Sequence, residues 1–295
     1  MMNGHGICQL KKKLCICFFI GVFFSITDGH TADLKVVVLD VGMGQSVLLV
    51  QGGHGLLIDT GLDEYGPHVL SRMNFYGIQT LDYLVLSHLH PDHAGGYFQS
   101  REAWPDTPVF ESCHVPEKFH PDEEDFFVNV HTALSQDSLR SCLAAGDVVF
   151  WQGHELQVLW PGVTEETDIN HNSLVLFLKV GQKGSLLVMG DVDKMVENRL
   201  KTTLQSLLFP SGVTLYVAAH HAAVDTGDPG FLSVLRPQVS IISVGQNNPF
   251  GYPSDTSVSV LERYSGTVLR TDRDGEICFT LDSTAAIPCK LQSER

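Results

Sequence analysis

Apolar residues along the chain fall in short runs broken by glycine. Leu34 to Val41, Ser46 to Gln51 and Leu56 to Asp59 are separated by Gly-containing breaks and predict three short strands joined by tight turns. Pro67 to Tyr76 reads as a helix that stops at Gly77. Leu81 to Ser87 is a nearly unbroken apolar strand, of the kind buried on both faces. Between residues 100 and 140 the pattern dissolves. Pro, Asp, Glu and Phe intermix there, which predicts an irregular or loosely helical excursion over the surface. From Val148 strands resume, with Leu156 to Trp160, Leu174 to Val180 and Leu186 to Met189. Asp193 to Leu208 is a predicted helix with Leu200, Leu204, Leu207 and Leu208 on one side. Strands Val213–Ala218, Val239–Val244, Thr267–Leu269 and Ile277–Leu281 follow, interleaved with helices Pro229–Leu235 and Asp255–Tyr264. Strands in both halves with helices between them predict an α/β domain of two sheets face to face, helices outside.

The first thirty residues follow another pattern. Lys11, Lys12 and Lys13 precede an apolar stretch from Leu14 to Ile26, and small polar residues come after it. Charge, a short apolar run and small residues are the layout of a secretory signal peptide, and a span would need about 20 apolar residues. Residues 1–30 are therefore expected to be a signal peptide and 31–295 a single folded domain. An uncleaved N-terminal anchor is the competing reading. On the first reading the protein is secreted and extracellular, with no membrane segment once the signal is removed. Acidic residues number 34 against 19 basic ones, a net charge of −15. The signal carries three lysines and only Asp28, so the acidity belongs to the folded part. Such a chain does not hold duplex DNA by a general positive field. Four cysteines remain beyond the signal, Cys113, Cys142, Cys278 and Cys289, which suits an oxidising compartment. Three pairings are open, and proximity favours Cys113–Cys142 and Cys278–Cys289.

The chemistry concentrates in Ser87-His88-Leu89-His90-Pro91-Asp92-His93, directly after the buried strand. Three imidazoles and a carboxylate suit zinc, iron or manganese, and a spacing of two lets His88 and His90 project to one side of extended chain. Gly95 and Gly96 let the backbone turn closely beneath a site. A surface histidine patch is the bland alternative, but packing needs no such crowding of costly polar groups.

With Ala94-Gly95-Gly96, this segment resembles the HxHxDH signature of the metallo-β-lactamase superfamily. Leu39-Asp40-Val41-Gly42-Met43-Gly44-Gln45-Ser46 is similar to the opening of the C-terminal hydrolase domain of ComEC-type competence proteins. Leu57-Ile58-Asp59-Thr60-Gly61, Asn170-His171-Asn172-Ser173-Leu174-Val175, Val188-Met189-Gly190-Asp191 and His220-His221 resemble further segments of that family, in its order. Ser243 to Pro253 and Arg270 to Gly275 match its closing pattern. The resemblance implies a metallo-β-lactamase-like αββα four-layer sandwich with two divalent ions, Zn or Mn, at one edge. It implies that His88 and His90 hold one ion and that Asp92 and His93 hold a second. Asp191 bridges the two, and His220 (or His221) completes the second site. Asp191 also reads as an N-cap for the helix that follows. Adjacent side chains after a strand point oppositely, so at most one of His220 and His221 is a ligand. Asp59 either orients a ligating His or serves a turn. His171 is ligand or bystander.

The departures concern substrate more than metal. Gln45 stands where the family has Asp, Val217 where it has Lys, Ala222 and Ala223 where it has Gly and Ser, and Tyr252 where it has His. Lys and His contact phosphate, although Tyr252 keeps a hydroxyl donor. Asn172, Ser173 and the Asn247–Asn248 pair could bind a polar leaving group or serve turns. Two ions about 3.5–4 Å apart can activate water and clamp an electrophile's oxygens, with Asp92 receiving a proton. The expected function is a phosphodiesterase or nuclease acting on single-stranded DNA or nucleotides, without stable duplex binding. The alternatives are hydrolysis of a lactone, thioester or β-lactam on the same centre, or a metal-binding protein whose active site has decayed.

Overall fold

In the computed structural model, which describes residues 33–114, 124–162, 168–283 and 285–289, the apolar runs become two sheets. The expected signal peptide lies outside the described residues. β1 (Leu34–Val38), β2 (Val47–Gln51) and β3 (His54–Ile58) form an antiparallel meander. α1 (Gly66–Phe75) crosses to β4 (Thr80–Val85), parallel to β3. α2 (Pro91–Ala94) and α3 (Tyr97–Ala103) lead to β5 (Val109–Ser112), and α4 (Glu124–Gln136) leads to β6 (Arg140–Leu143); both strands continue the parallel run.

The second half repeats the plan. β7 (Val148–Trp151), β8 (His154–Trp160), β9 (Val175–Val180) and β10 (Gly184–Val188) are antiparallel neighbours. α5 (Lys194–Leu208), α6 (Pro229–Leu235) and α7 (Asp255–Tyr264) then connect β11 (Leu215–Val217), β12 (Val239–Ile242) and β13 (Thr267–Arg270), all parallel to β10. After the short α8 (Thr271–Asp274), β14 (Ile277–Leu281) and β15 (Ala286–Pro288) return to the first sheet beside β1. The sheet orders are β15-β14-β1-β2-β3-β4-β5-β6 and β13-β12-β11-β10-β9-β8-β7.

Period-two alternation explains the layering. Val36 and Val38 of β1 enter a core shared with Leu176, Leu186 and Val217 of the other sheet, whereas Val37 faces the layer holding α1, α3 and α4. Leu186 and Val188 of β10 likewise face the shared core, and Leu187 packs toward α5 and α6. Three apolar cores between four layers make the αββα sandwich. Cys113–Cys142 and Cys278–Cys289 are both bonded, tying β5 to β6 and β14 to the chain just past β15.

The segment expected to be irregular or loosely helical holds a regular helix and two strands where it is described. α4 buries Phe127, Val130 and Leu134 at helical spacing, and β5 and β6 extend the first sheet. Strand runs of four residues flanked by Pro, Asp and Glu carry too few alternations to be read locally. No helix among the described residues is long and apolar enough to cross a membrane.

Candidate metal centre

In open α/β sheets, binding crevices lie outside the carboxyl ends of parallel strands. Here β3 delivers Asp59, β4 delivers Ser87 to His93, β10 delivers Asp191, and β11 delivers His220 and His221. Both sheets thus contribute to one edge. His90 is still extended at φ −70°, ψ 153°, and Pro91 then starts α2 with its φ already fixed, so Asp92 and His93 lie in the first turn. Two glycines permit the close packing around this loop. A Cβ on Gly44 would lie 2.5 Å from the Asp92 carbonyl oxygen, and one on Gly95 would lie 2.4 Å from both the Asp63 nitrogen and the Pro91 oxygen.

Three imidazoles, those of His88, His93 and His221, are anchored through Nδ1 and present Nε2. His93 Nδ1 donates to Asp59 Oδ2 at 2.8 Å, and His221 Nδ1 donates to the Ser243 carbonyl at 2.7 Å. His88 Nδ1 lies 3.1 Å from Ser87 Oγ. Fixing the tautomer in this way turns three Nε2 atoms inward, the arrangement that metal-ligating histidines need. His88 Nε2 and His90 Nδ1 meet at 3.1 Å. His93 Nε2 lies 3.0 Å from Asp191 Oδ1, yet both atoms are buried and neither makes a directed hydrogen bond. With His93 in its Nδ1-protonated neutral form these are converging lone pairs that a cation, or in its absence a proton, would satisfy, so the residues fit a metal. The candidate ligand atoms form two groups, Asp92–His93–Asp191–His221 and His88–His90–Asp191, in each of which all atoms lie within 4.8 Å of one another. Asp191 belongs to both.

Electrostatics follow from that crowding. Burial, reinforced by the neighbouring His93, holds the His88 pKa well below its ordinary value. Burial also opposes charge on His93, but Asp191, Asp59 and Asp92 together push it well above. Burial alone would raise Asp191; His93 and His221 overcome it and hold the carboxyl well below its usual range. Asp92 is lowered in the same way, with His93 the chief partner.

His88, His90, Asp92, His93 and Asp191 come together, and of the pair left open by the sequence it is His221, not His220, whose ring joins a candidate ligand group. His221 Nε2 lies 3.2 Å from Asp92 Oδ2 and 3.6 Å from Asp191 Oδ2. His220 reaches Asp191 Oδ2 only at 3.8 Å and turns its Nδ1 toward Asp225 at 3.6 Å. The cause is the backbone. His220, His221 and Ala222 have φ of 47°, 52° and 59°, three successive left-handed residues, so strand alternation no longer decides which side chain points inward. The family's glycine at 222 would take that conformation without a Cβ penalty.

The remaining expectations divide. Asp59 orients His93 and also accepts from Ser87 N at 2.6 Å, Ser87 Oγ at 2.8 Å and Gln45 Nε2 at 2.8 Å. Gln45 is thus a positioning residue visible in the sequence only as a departure from the family. Ser173 Oγ accepts from the Asp191 N–H at 3.2 Å, which places Asp191 rather than a leaving group. Asn172 is buried beside His88 and Glu111, away from the main cavity; Asn170 lines it instead. The helix cap is Asp193, whose side chain accepts from Met195 and Val196, and not Asp191. His171 joins neither ligand group and lies 3.5 Å from Asp193. Asn248 stiffens its own loop, donating to the Gly245 and Tyr252 carbonyls and accepting from Tyr252 N at 3.0 Å. That loop sets Tyr252 against His220, ring centroids 5.4 Å apart, on the wall of a cavity of about 400 Å³ that opens over Asp92 and Asp191.

Residues 39–219 match the metallo-beta-lactamase superfamily. Recombination protein 2 of Haemophilus influenzae is 29% identical over 269 residues, which cover 90% of this chain and 30% of that protein. ComE operon protein 3 of Bacillus subtilis is 27% identical over 297 residues, covering 94% of this chain and 37% of that one. The chain thus spans about a third of the length of these curated relatives. A metallo hydrolase of the archaeon Ignicoccus hospitalis superimposes with a TM-score of 0.51 at 14% identity, over 88% of this chain and 100% of that one, a likeness of fold. A family match over more than half of the sequence, on a fold and an edge of the kind described, places the chain in the metallo-beta-lactamase superfamily as a homologue of the ComEC-type competence proteins.

Proposed function

We propose that this hydrolase-fold protein is an exported, metal-dependent phosphodiesterase or nuclease that cleaves single-stranded DNA or nucleotides with two divalent ions, zinc or manganese. The observation that carries the reading is the pair of ligand groups sharing Asp191 beneath a solvent-open cavity. Divalent ions bound there would supply Lewis acidity to a phosphodiester's oxygens and acidify the attacking water. The chain's own residues do the rest. Asp59 and the Ser243 carbonyl keep His93 and His221 in the ligating tautomer. Ser173 holds Asp191 through its N–H. Asp92, partly open to the cavity and held below its ordinary pKa, is the carboxylate available to accept a proton from water. Names that speak of recombination and competence among the relatives support DNA as the polymer. The lysine-then-apolar N-terminus and the two disulfides support export.

A second reading, hydrolysis of a lactone, thioester or β-lactam on the same centre, is favoured by one observation: no lysine or arginine lines the cavity among the described residues. Intact ligand groups argue against a decayed site. Metal-reconstituted protein should be assayed against single-stranded DNA, bis-p-nitrophenyl phosphate and a chromogenic cephalosporin. Turnover of the two phosphodiesters is expected. Turnover of the cephalosporin alone would remove the nuclease reading.

A further inference from the structure

The cavity over the ligand groups has two unlike walls. One holds imidazoles and carboxylates; the other is built from Met43, Leu62, Pro91, Pro249, Phe250 and Tyr252. Within the second wall, Phe250 and Tyr252 stack with centroids 5.6 Å apart and planes 22° from parallel. Tyr252 in turn lies 6.4 Å from His221 at 20°. Tyr252 therefore lies near-parallel both to His221 of the ligand group and to Phe250. His221 is buried, while Phe250 is 63% exposed. The loop that carries the two aromatic rings is fixed by the Asn248 side chain, so the rings are preorganised.

Charge narrows what can lie on those rings. No lysine or arginine lines this cavity, nor the adjoining one of about 430 Å³, among the described residues; the adjoining one carries Asp40 and Glu64, with Asp272 paired to Arg270 behind it. A polyanion crossing both would meet carboxylates within about one Debye length, roughly 8 Å at physiological salt. Within these two cavities, among the described residues, the metal-ligand groups are the place left for a phosphate. A flat, sequence-tolerant apolar face beside one phosphate position suits a nucleobase, since every base offers a π-face.

Resting on the phosphodiesterase reading above, we propose that Phe250 and Tyr252 form a stacking platform for the single unpaired base next to the scissile phosphate, and that this contact, not contacts to flanking phosphates, holds the strand. A base inside a duplex has both faces covered and cannot use the platform.

The test uses the metal-loaded full chain with a short single strand and the same strand made abasic at the cleaved nucleotide. Phe250→Ala should raise KM for the base-bearing strand roughly tenfold, within the range of base–aromatic stacking, with a smaller effect on kcat. The abasic strand should show that raised KM already with the unaltered protein, and Phe250→Trp should restore the low one. Independently of turnover, a strand carrying 2-aminopurine at the cleaved position should lose fluorescence on rapid mixing with the unaltered protein and not with Phe250→Ala. An unchanged KM in Phe250→Ala, with DNA still cleaved, would overturn the platform and leave the nuclease standing. Quenching without hydrolysis of any phosphodiester would keep the platform and remove the nuclease.

Discussion

Asp59 stands at φ 59°, a conformation that costs an L-residue about 1–2 kcal/mol unless its surroundings hold it. Four donors converge on its carboxylate, from Ser87 twice, Gln45 and His93, and they both hold the turn and fix the His93 tautomer. The same logic runs through His220 and His221, where the anchor is the Ser243 carbonyl. On the proposed two-ion centre, His221→Ala should lose about one equivalent by elemental analysis, because the Asp92–His93–Asp191 group is left one ligand short. His220→Ala should retain both. Full metal content in His221→Ala, or loss in His220→Ala, would return the ligand role to His220. The tight cluster from His88 to His93 was legible because its ligands sit within six residues of one loop. The choice between His220 and His221 was not, since it depends on three positive φ angles that nothing in an Ala-His-His-Ala string announces.

At the scale of elements, α5 carries a buried carboxylate outside the metal edge. Glu197 is fully buried and accepts from the Gly227 and Asp228 N–H groups at 2.9 and 2.7 Å, bracing the turn that starts α6. Burial pushes its pKa up to about 7, with those two hydrogen bonds pulling partly back. A folded pKa above the ordinary 4.5 means the native state binds the proton more tightly than the unfolded chain does. The contribution is therefore complete below about pH 4.5 and fades as pH rises through 7, a swing of order 3 kcal/mol. Glu197→Gln, which mimics the protonated form, should lose less stability between pH 5 and pH 8 than the parent, measured by urea midpoints. An identical pH difference in both proteins would show that Glu197 stays ionised. Elements read well where length and period agreed, as for α6 and α7, whose bounds match the apolar spacing. α4 was read only as irregular or loosely helical, because its Phe127–Val130–Leu134 stripe is flanked by Pro, Asp and Glu.

At the scale of the whole molecule, apolar strand runs in both halves with helices between them made two packed sheets legible, but not their order. Pairing of Leu34 with Leu281 joins the two ends of the described chain, a contact that no local pattern encodes. Net charge was legible outright, and it makes a prediction about how a strand is held. The chain carries −15, and no lysine or arginine lines either cavity at the metal edge, among the described residues. A protein that neutralises Z phosphates of a single strand with lysine or arginine loses affinity with a slope of about −0.7Z in log salt. Three such contacts would weaken binding roughly twentyfold between 50 and 200 mM NaCl. Here the expected change in KM for single-stranded DNA over that range, at fixed divalent metal, is less than about twofold. Screening of the acidic surface should pull KM slightly down rather than up. A steep rise in KM with salt would mean that the strand follows a cationic track elsewhere on the surface, and that one phosphate at the metal edge is not where most of its charge is met.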